Sequence, residues 1–325
     1  MKKAICLLVV FMFVNTVVSA CDVCGAYMGI MPNEKNSFIA VYNRYRAFKG
    51  DYFTGSNKFF PDGSYFKTEH AGHNTAGVSM YEVFRVTELR ARYFVHPRVE
   101  LNMVLPYANN KEVVGTSTTV AEGLGDLTLT VGYHLFDDTI SGDWRHRLIV
   151  GAGVKLATGD DRDNGNGQRI TILNQPGTGS DDALVLATYL MGFKQWGIML
   201  NGMGKINGTN AFNERIGNSI TASSCLFYKI DVGCGFQIIP SLALNFEKTK
   251  GEYLNEVLQN RTGMQTLLGG GGIQVAYRKF SFDIMAQVSL DEPPSKNSMF
   301  TTFRMVTGLT YSFSQGKYIF HRNDR

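Results

Sequence analysis

The chain has 325 residues and is rich in glycine, with 35, and poor in proline, with 8. Its hydrophobic fraction of 44% coexists with a mean hydropathy of −0.09, so apolar residues are interleaved with polar ones rather than massed in blocks. The formal net charge of +4, without a basic stripe carrying interleaved aromatic residues, argues against a nucleic-acid surface. Length and composition favour one large β domain or two ordinary ones.

Residues 1–20 have the pattern of a secretory signal peptide. Lys2 and Lys3 precede an apolar run, and the small residues up to Ala20 precede the expected cleavage point. We therefore expect export of the chain after cleavage near Ala20 and Cys21. Because no later apolar run reaches about 18 residues, no helical membrane span is expected.

Residues 21–36 form a short stub that opens with a CxxC motif. Cys21 and Cys24, with Met28 and Met31 downstream, offer two thiols and two thioethers, a ligand set that suits a soft ion such as Cu(I). Two other fates stay open for this stretch: oxidation of the CxxC to a disulfide, and acylation of Cys21, since the residues before it also fit a lipobox. A second CxxC is absent from the sequence, so a zinc or iron–sulfur centre is not indicated.

From residue 37 onward, segments with alternating apolar and polar residues recur almost to the end of the chain. In residues 126–136, Leu127 and Leu129 lie on one face, and Thr128 and Thr130 lie on the other. A period of two is typical of a β-strand between two unlike environments. The twelve predicted strands are residues 37–48, 78–94, 99–105, 126–136, 147–156, 182–193, 196–206, 219–228, 241–248, 264–277, 280–290 and 300–313.

The connections between these strands alternate in length. The long ones are residues 49–77, 108–125, 157–181, 207–218, 249–263 and 291–299. Tight turns fall at 95–98, 194–195 and 278–279, whereas 137–146 and 229–240 are longer exceptions. Long loops on one rim and short turns on the other are typical of a transmembrane barrel, and a soluble sandwich has no reason to alternate in this way. The sequence predicts an all-β fold, a closed up-and-down antiparallel transmembrane barrel of about 12 strands.

The last predicted strand, residues 300–313, ends in a pattern like the closing-strand signal of bacterial outer-membrane barrels. Gly308 is followed by Tyr311 and Phe313, whose rings are expected at a membrane boundary. We expect this strand to be recognised by the barrel-assembly machinery. The domain prediction is therefore a barrel over 37–313 and a polar periplasmic tail over 314–325.

Four sequence pieces also resemble a known family, the outer-membrane transporters named for meta-pathway phenol degradation. They are Gly123-Leu-Gly-Asp-Leu-Thr128, Lys155-Leu-Ala-Thr-Gly159, Gln175-Pro-Gly-Thr-Gly-Ser-Asp181 and Gly308-Leu-Thr-Tyr-Ser-Phe313. Ala157 departs from the proline usual in the family. The resemblance implies a barrel that passes small, often hydrophobic or aromatic molecules.

Charged residues on the predicted strands mostly fall on the faces opposite the apolar ones. A charge facing lipid at the bilayer midplane costs about 2–4 kcal/mol, so these side chains are expected in the lumen. They either form a charged solute pathway or fill a narrow barrel by pairing with one another. The predicted lumen residues are Arg44, Arg46, Glu88, Arg90, Arg92, Glu100, Arg147, Lys155, Glu247, Asp283 and Arg304.

Two cysteines flank a predicted turn between late strands. Cys225 and Cys234 lie on either side of residues 229–232, and in an oxidising compartment we predict that they pair as a disulfide.

The favoured function is a passive channel in the outer membrane of a Gram-negative bacterium, with membrane lipid and a small-molecule solute as partners and no nucleic acid or cofactor. Residues 157–181 are expected to gate or narrow its lumen. The alternative is a structural or metal-handling envelope protein that uses the Cys21–Met31 stub. An outer-membrane hydrolase is disfavoured, because no nucleophile motif is seen and His134 points inward. The protein is therefore not expected to be an enzyme.

Overall fold

The computed structural model describes residues 36–52, 78–141, 144–160, 172–258, 263–291 and 300–313. Within these ranges every regular element is a β-strand. In this part of the chain, no helix is long and apolar enough to cross a bilayer.

The strands are numbered in chain order. The first six are β1 Ser37–Tyr52, β2 Val78–His96, β3 Val99–Val114, β4 Ser117–Leu124, β5 Leu127–Ser141 and β6 Trp144–Leu156. The next six are β7 Asp182–Phe193, β8 Trp196–Ile206, β9 Glu214–Arg215, β10 Ser219–Tyr228, β11 Ile230–Gly233 and β12 Phe236–Thr249. The remaining ones are β13 Tyr253–Leu254, β14 Val257–Leu258, β15 Met264–Tyr277, β16 Phe280–Ser289 and β17 Phe300–Phe313.

Twelve strands form one closed antiparallel ring. The order of strands around the ring is β1, β2, β3, β5, β6, β7, β8, β10, β12, β15, β16 and β17, and each strand pairs with the next one in this order. Pairing of β1 with β17, which places Tyr42 opposite Gly308, joins the first strand to the last. Closure satisfies the backbone hydrogen-bonding groups of every ring strand without leaving an edge. The predicted fold class is confirmed.

Several predicted connections are more ordered than expected, two of them by long stretches of strand. Residues 108–125, predicted as a loop, contain the end of β3 and all of β4, which folds back on β3 as a hairpin. The predicted connection 137–146 is mostly strand, because β5 continues to Ser141 and β6 begins at Trp144. These positions lack a clear alternation of polar and apolar residues, so the sequence pattern does not reveal them, although their backbones pair as strands.

The two ends of the barrel differ, and we name them by their connections. The short-turn end carries the tight links between β2 and β3, β7 and β8, and β15 and β16. The links from β5 to β6 and from β10 to β12 lie at the same end. The long-loop end carries the remaining connections, including residues 157–181 between β6 and β7. Outside the ring, β9, β13 and β14 form a separate three-stranded sheet.

The distribution of polarity is the reverse of that in a water-soluble domain. On β12, Leu242 of the outer face is 66% exposed, whereas Glu247 of the inner face is 1% exposed. Other exposed outer residues include Ile39, Val131, Ile220 and Leu309. An apolar outer band around a polar interior is the arrangement expected of a transmembrane barrel.

Aromatic side chains cluster in pairs around the short-turn end. The ring-to-ring distances are 4.5 Å for Trp144–Phe193, 4.7 Å for Trp196–Tyr228, 4.3 Å for Phe236–Tyr277 and 5.1 Å for Phe280–Tyr311. Each pair joins residues opposite one another on adjacent strands. Such a belt suits the boundary between hydrocarbon and water.

Candidate functional site

The interior nearest the short-turn end is filled by apolar side chains. Phe38, Tyr42, Phe227, Ile239 and Met285 are buried there in one cluster with smaller neighbours. The cluster forms because β1, β10, β12 and β16 direct alternate residues inward. The cluster fills the lumen at the short-turn end like a hydrophobic core rather than lining an open channel.

A first charged group lies where β1 and β2 face the lumen. Glu88 accepts a hydrogen bond of 2.7 Å from Arg90 Nε and is also paired with Arg44. All three residues are buried. A buried carboxylate is tolerated only when it is closely paired and hydrogen-bonded, and two guanidinium groups meet that requirement here.

A second group repeats this arrangement on the far side of β1. Glu247 lies 2.7 Å from Arg46 Nη2 and is also paired with Arg304. Arg304 in turn donates a hydrogen bond of 2.9 Å to Gln287 Oε1. Because Arg44 and Arg46 are two residues apart on one strand, both side chains point into the lumen. Arg44 belongs to the first group and Arg46 to the second, so the two groups are adjacent.

The other predicted lumen charges form smaller groups. Glu100 lies 3.5 Å from Arg92 Nε and 3.1 Å from His134 Nε2. Asp283 accepts a hydrogen bond of 2.6 Å from Gln274 and one of 3.3 Å from the Tyr42 hydroxyl group. Arg147 lies 3.2 Å from Asp137.

The long-loop end holds a group of charges that we call the rim cluster: Asp126, Lys155, Asp182 and Lys205. Lys155 Nζ lies 2.6 Å from Asp126 Oδ2 and 3.0 Å from Asp182 Oδ2. Lys205 Nζ lies 3.0 Å from the same oxygen of Asp182. Asp126 lies in the break between β4 and β5, Lys155 near the end of β6, Asp182 at the start of β7 and Lys205 near the end of β8. The cluster therefore joins four places in the sequence.

Residues 172–181, which we call the inward segment, turn into the barrel and bind the rim cluster. Lys155 Nζ donates a hydrogen bond of 3.0 Å to Ser180 O, and Thr178 N donates one of 2.8 Å to Asp126 Oδ2. Nearer the start of the segment, Asn110 Nδ2 on β3 donates a hydrogen bond of 3.0 Å to Asn174 O. Gln175 is only 2% exposed. The buried residues of the inward segment therefore lie inside the barrel at its long-loop end.

Glycines permit this close contact of backbones. A Cβ atom on Gly159 would lie 2.6 Å from the carbonyl carbon of Gly125, and one on Gly177 would lie 2.8 Å from Gly159 Cα. Any larger residue would push the segments apart. Three of the four quoted sequence pieces, those containing Gly125, Gly159 and Gly177, thus meet at one place.

The charge of Asp126 is stabilised where these pieces meet. Burial acts to raise the pKa of its carboxyl group, but the Lys155 ammonium group and hydrogen bonds from Thr178 outweigh burial and hold the pKa below its ordinary value. A hydrogen bond of 3.0 Å from Gly159 N adds to this effect. Asp126 is therefore an ionised anchor for the inward segment.

A cavity of about 170 Å³ lies between the inward segment and the barrel wall. Arg44, Glu88, Arg90, Asp126, Lys155 and Lys205 line it together with hydroxyl-bearing and apolar side chains. The first charged group and the rim cluster therefore face one common space.

The eleven predicted lumen residues all lie on strands of the ring, and the structure divides them among the groups above. Their role as a solute pathway stays a prediction. Sequence reasoning missed three residues that complete these groups: Asp126, Asp182 and Lys205. Asp126 lay on a predicted polar face and gave a usable signal, whereas the strand that begins at Asp182 is apolar on both faces and gave none.

The predicted disulfide between Cys225 and Cys234 is absent, because both thiols are free. Cys225 is buried on β10 and lies opposite Ala243, whereas Cys234 is exposed in the turn between β11 and β12. Three residues of strand separate Cys225 from the end of β10 at Tyr228, about 10 Å at the usual rise. Cys234 lies beyond that end of the strand, in the turn between β11 and β12, so it is out of reach of a disulfide with Cys225.

The predicted soft-metal residues Cys21, Cys24, Met28 and Met31 lie outside the described residues. Within those ranges, no group of three or more His, Cys, Asp or Glu side chains is placed to hold a metal ion. Metal handling by the stub stays a prediction.

Comparison with known proteins supports the fold. No protein-family model and no curated protein matches the chain. An outer membrane channel from Pseudomonas putida F1 is similar in structure, with a TM-score of 0.60 and 14% identity over 88% of this chain and 99% of that chain. The transport unit of an autotransporter from Escherichia coli gives a TM-score of 0.48 and 10% identity over 89% of this chain and 94% of that chain. The first likeness shows a shared barrel fold.

Proposed function

We propose that this protein is a channel of the Gram-negative outer membrane that passes small solutes down their concentration gradient. The proposal rests above all on one observation: a closed ring of twelve strands, apolar outside, encloses charged side chains and a cavity covered by the inward segment. The shared fold with an outer membrane channel supports it.

In this proposal the conformation described above is the closed one. The apolar cluster and the paired charges leave little free bore, so conduction requires displacement of lumen side chains. The inward segment is the part best suited to move, because it belongs to a connection and not to the ring. Side-chain contacts such as those to Asp126 and Lys155 hold it in place, and such contacts open at lower cost than a strand ladder.

The orientation follows from the connections. In bacterial barrels the short turns face the periplasm and the long loops face outward. The inward segment would then enter the lumen from the external mouth. Solutes would meet it first, before the two arginine-bearing charged groups.

Planar-bilayer recording on the purified full chain tests the proposal. We expect discrete conductance steps with a low open probability, together with heat-modifiable migration on gels that reports a folded barrel. Liposome swelling with small solutes gives an independent measurement. A folded barrel that yields neither steps nor swelling under any voltage or solute gradient would overturn the proposal.

A further inference from the structure

The cavity beneath the inward segment has the size of a small-molecule site. Its volume is about 170 Å³, and a cavity of about 150 Å³ is known to accommodate one benzene molecule. A ligand that fills it therefore has a body close to a single six-membered ring.

The cavity wall carries both apolar and polar side chains. Ile172 and Leu173 of the inward segment line it together with Leu186 and Met203 from the barrel. Ile216, in the connection between β9 and β10, also lines it. Hydroxyl and amide groups line the same cavity, namely Thr128, Thr130, Thr188, Asn201, Thr221 and Ser223. A site with a mainly apolar lining and a few placed polar groups is typical of small-molecule recognition.

The charged residues of the wall favour an anion. Four cationic side chains line the cavity, namely Arg44, Arg90, Lys155 and Lys205. Three carboxylates pair with them: Glu88 and Asp126 in the wall, and Asp182 next to both lysines. One positive charge therefore remains in excess. These lining side chains are buried, so the excess positive charge attracts an anion more strongly than it would at an exposed surface.

One polar group of the wall lacks a protein partner. Thr221 lies on β10 and is 4% exposed, and its Oγ1 atom makes no hydrogen bond to any of the described residues. The neighbouring polar groups are satisfied, since Asn201 bonds Thr188 and Ser223 at 2.8 and 3.2 Å. A buried hydroxyl group without a partner is costly unless a bound molecule completes it.

We propose that the cavity binds a small organic monoanion, a carboxylate carried on an apolar body about one ring in size. Thr221 donates a hydrogen bond to the carboxylate, the cationic side chains balance its charge, and the inward segment covers the apolar body. This assignment deepens the proposed channel function by naming a class of solute. Binding is measured without current, so the two proposals can fail separately.

Isothermal titration of the folded full chain in detergent at low ionic strength tests the assignment. Three probes separate its parts: benzoate carries both charge and ring, benzamide keeps the shape without the charge, and acetate keeps the charge without the ring. We expect benzoate to bind at least tenfold more tightly than either of the other two. Equal affinities for benzoate and benzamide, or no binding of benzoate, would overturn the assignment.

Substitutions locate the site. Thr221→Val removes the hydroxyl group at nearly constant volume, and we expect about a tenfold loss of benzoate affinity, as for a hydrogen bond to a charged group. Thr266→Val is the matched control, because Thr266 is also buried, at 3% exposure, but does not line the cavity. Leu186→Trp fills the cavity and should abolish binding. Heat-modifiable migration confirms folding of each variant. Unchanged affinity in both Thr221→Val and Leu186→Trp would refute the location.

Discussion

Replacing Lys155 by methionine should release the inward segment. The substitution keeps an unbranched side chain of similar length but removes the ammonium group. That group lies 2.6 Å from Asp126 and 3.0 Å from Asp182, and it donates a hydrogen bond to the backbone of Ser180. Its loss therefore acts on the wall and on the segment together.

The magnitude follows from what the two carboxylates retain. Removing one partner of a buried ion pair costs about 3–5 kcal/mol. The lower end applies here, because Asp126 keeps hydrogen bonds from Thr178 and Gly159, and Asp182 keeps Lys205. When the segment leaves, water reaches both carboxylates, so the cost falls on the closed conformation. About 3 kcal/mol corresponds to about a hundredfold rise in the ratio of open to closed barrels.

Single-channel recording measures this ratio as open probability. Lys205→Met, which loses only the contact with Asp182, should give a smaller rise of about tenfold, in line with a partly retained pair. Lys194→Met in the turn between β7 and β8, at the opposite end, is the matched control and should leave open probability unchanged. If Lys155→Met conducts like the unaltered protein and like Lys194→Met, the inward segment does not control the channel.

Two further predictions concern pH and the thiols. The pKa of Asp126 is lowered from its ordinary value of 3.8, so its stabilisation of the closed form is present above that value and is lost as pH falls through the lowered pKa. Open probability should therefore be equal at about pH 7 and pH 5 and rise only in stronger acid, and a rise between pH 7 and pH 5 would contradict this account. Maleimide followed by peptide mapping should label Cys234 in the folded barrel and Cys225 only after unfolding, whereas a two-proton mass shift on reduction would indicate a disulfide.

The charged interior has a cost that its pairing offsets. Each of the two arginine-bearing groups holds one buried carboxylate between two guanidinium groups, Glu88 in one and Glu247 in the other. Apolar residues of similar volume would close the lumen at least as well. The retained charges therefore fit the proposed passage of a polar solute better than a purely structural interior.

The sequence alone predicted the barrel, because lipid on the outside and the polar lumen on the inside select different residues for the two faces of each strand. In residues 280–290, Phe282 and Ile284 face outward while Asp283 and Gln287 face inward, and burial follows that alternation. Several strands, including β7, β8, β10, β15 and β17, have the bounds that the pattern predicts. Period-two alternation depends on local geometry, so no knowledge of distant contacts is needed.

Only the tertiary structure decided which charges meet and where the 157–181 connection goes. Asp126, Lys155 and Thr178 are separated by 29 and 23 residues and are brought within hydrogen-bonding distance by ring closure and by the turn of the inward segment. Alternation tells which face a side chain takes but not its height or its neighbour across the lumen. Those contacts depend on strand stagger and on a connection without periodicity, and so the rim cluster and its cavity could not be derived from the sequence.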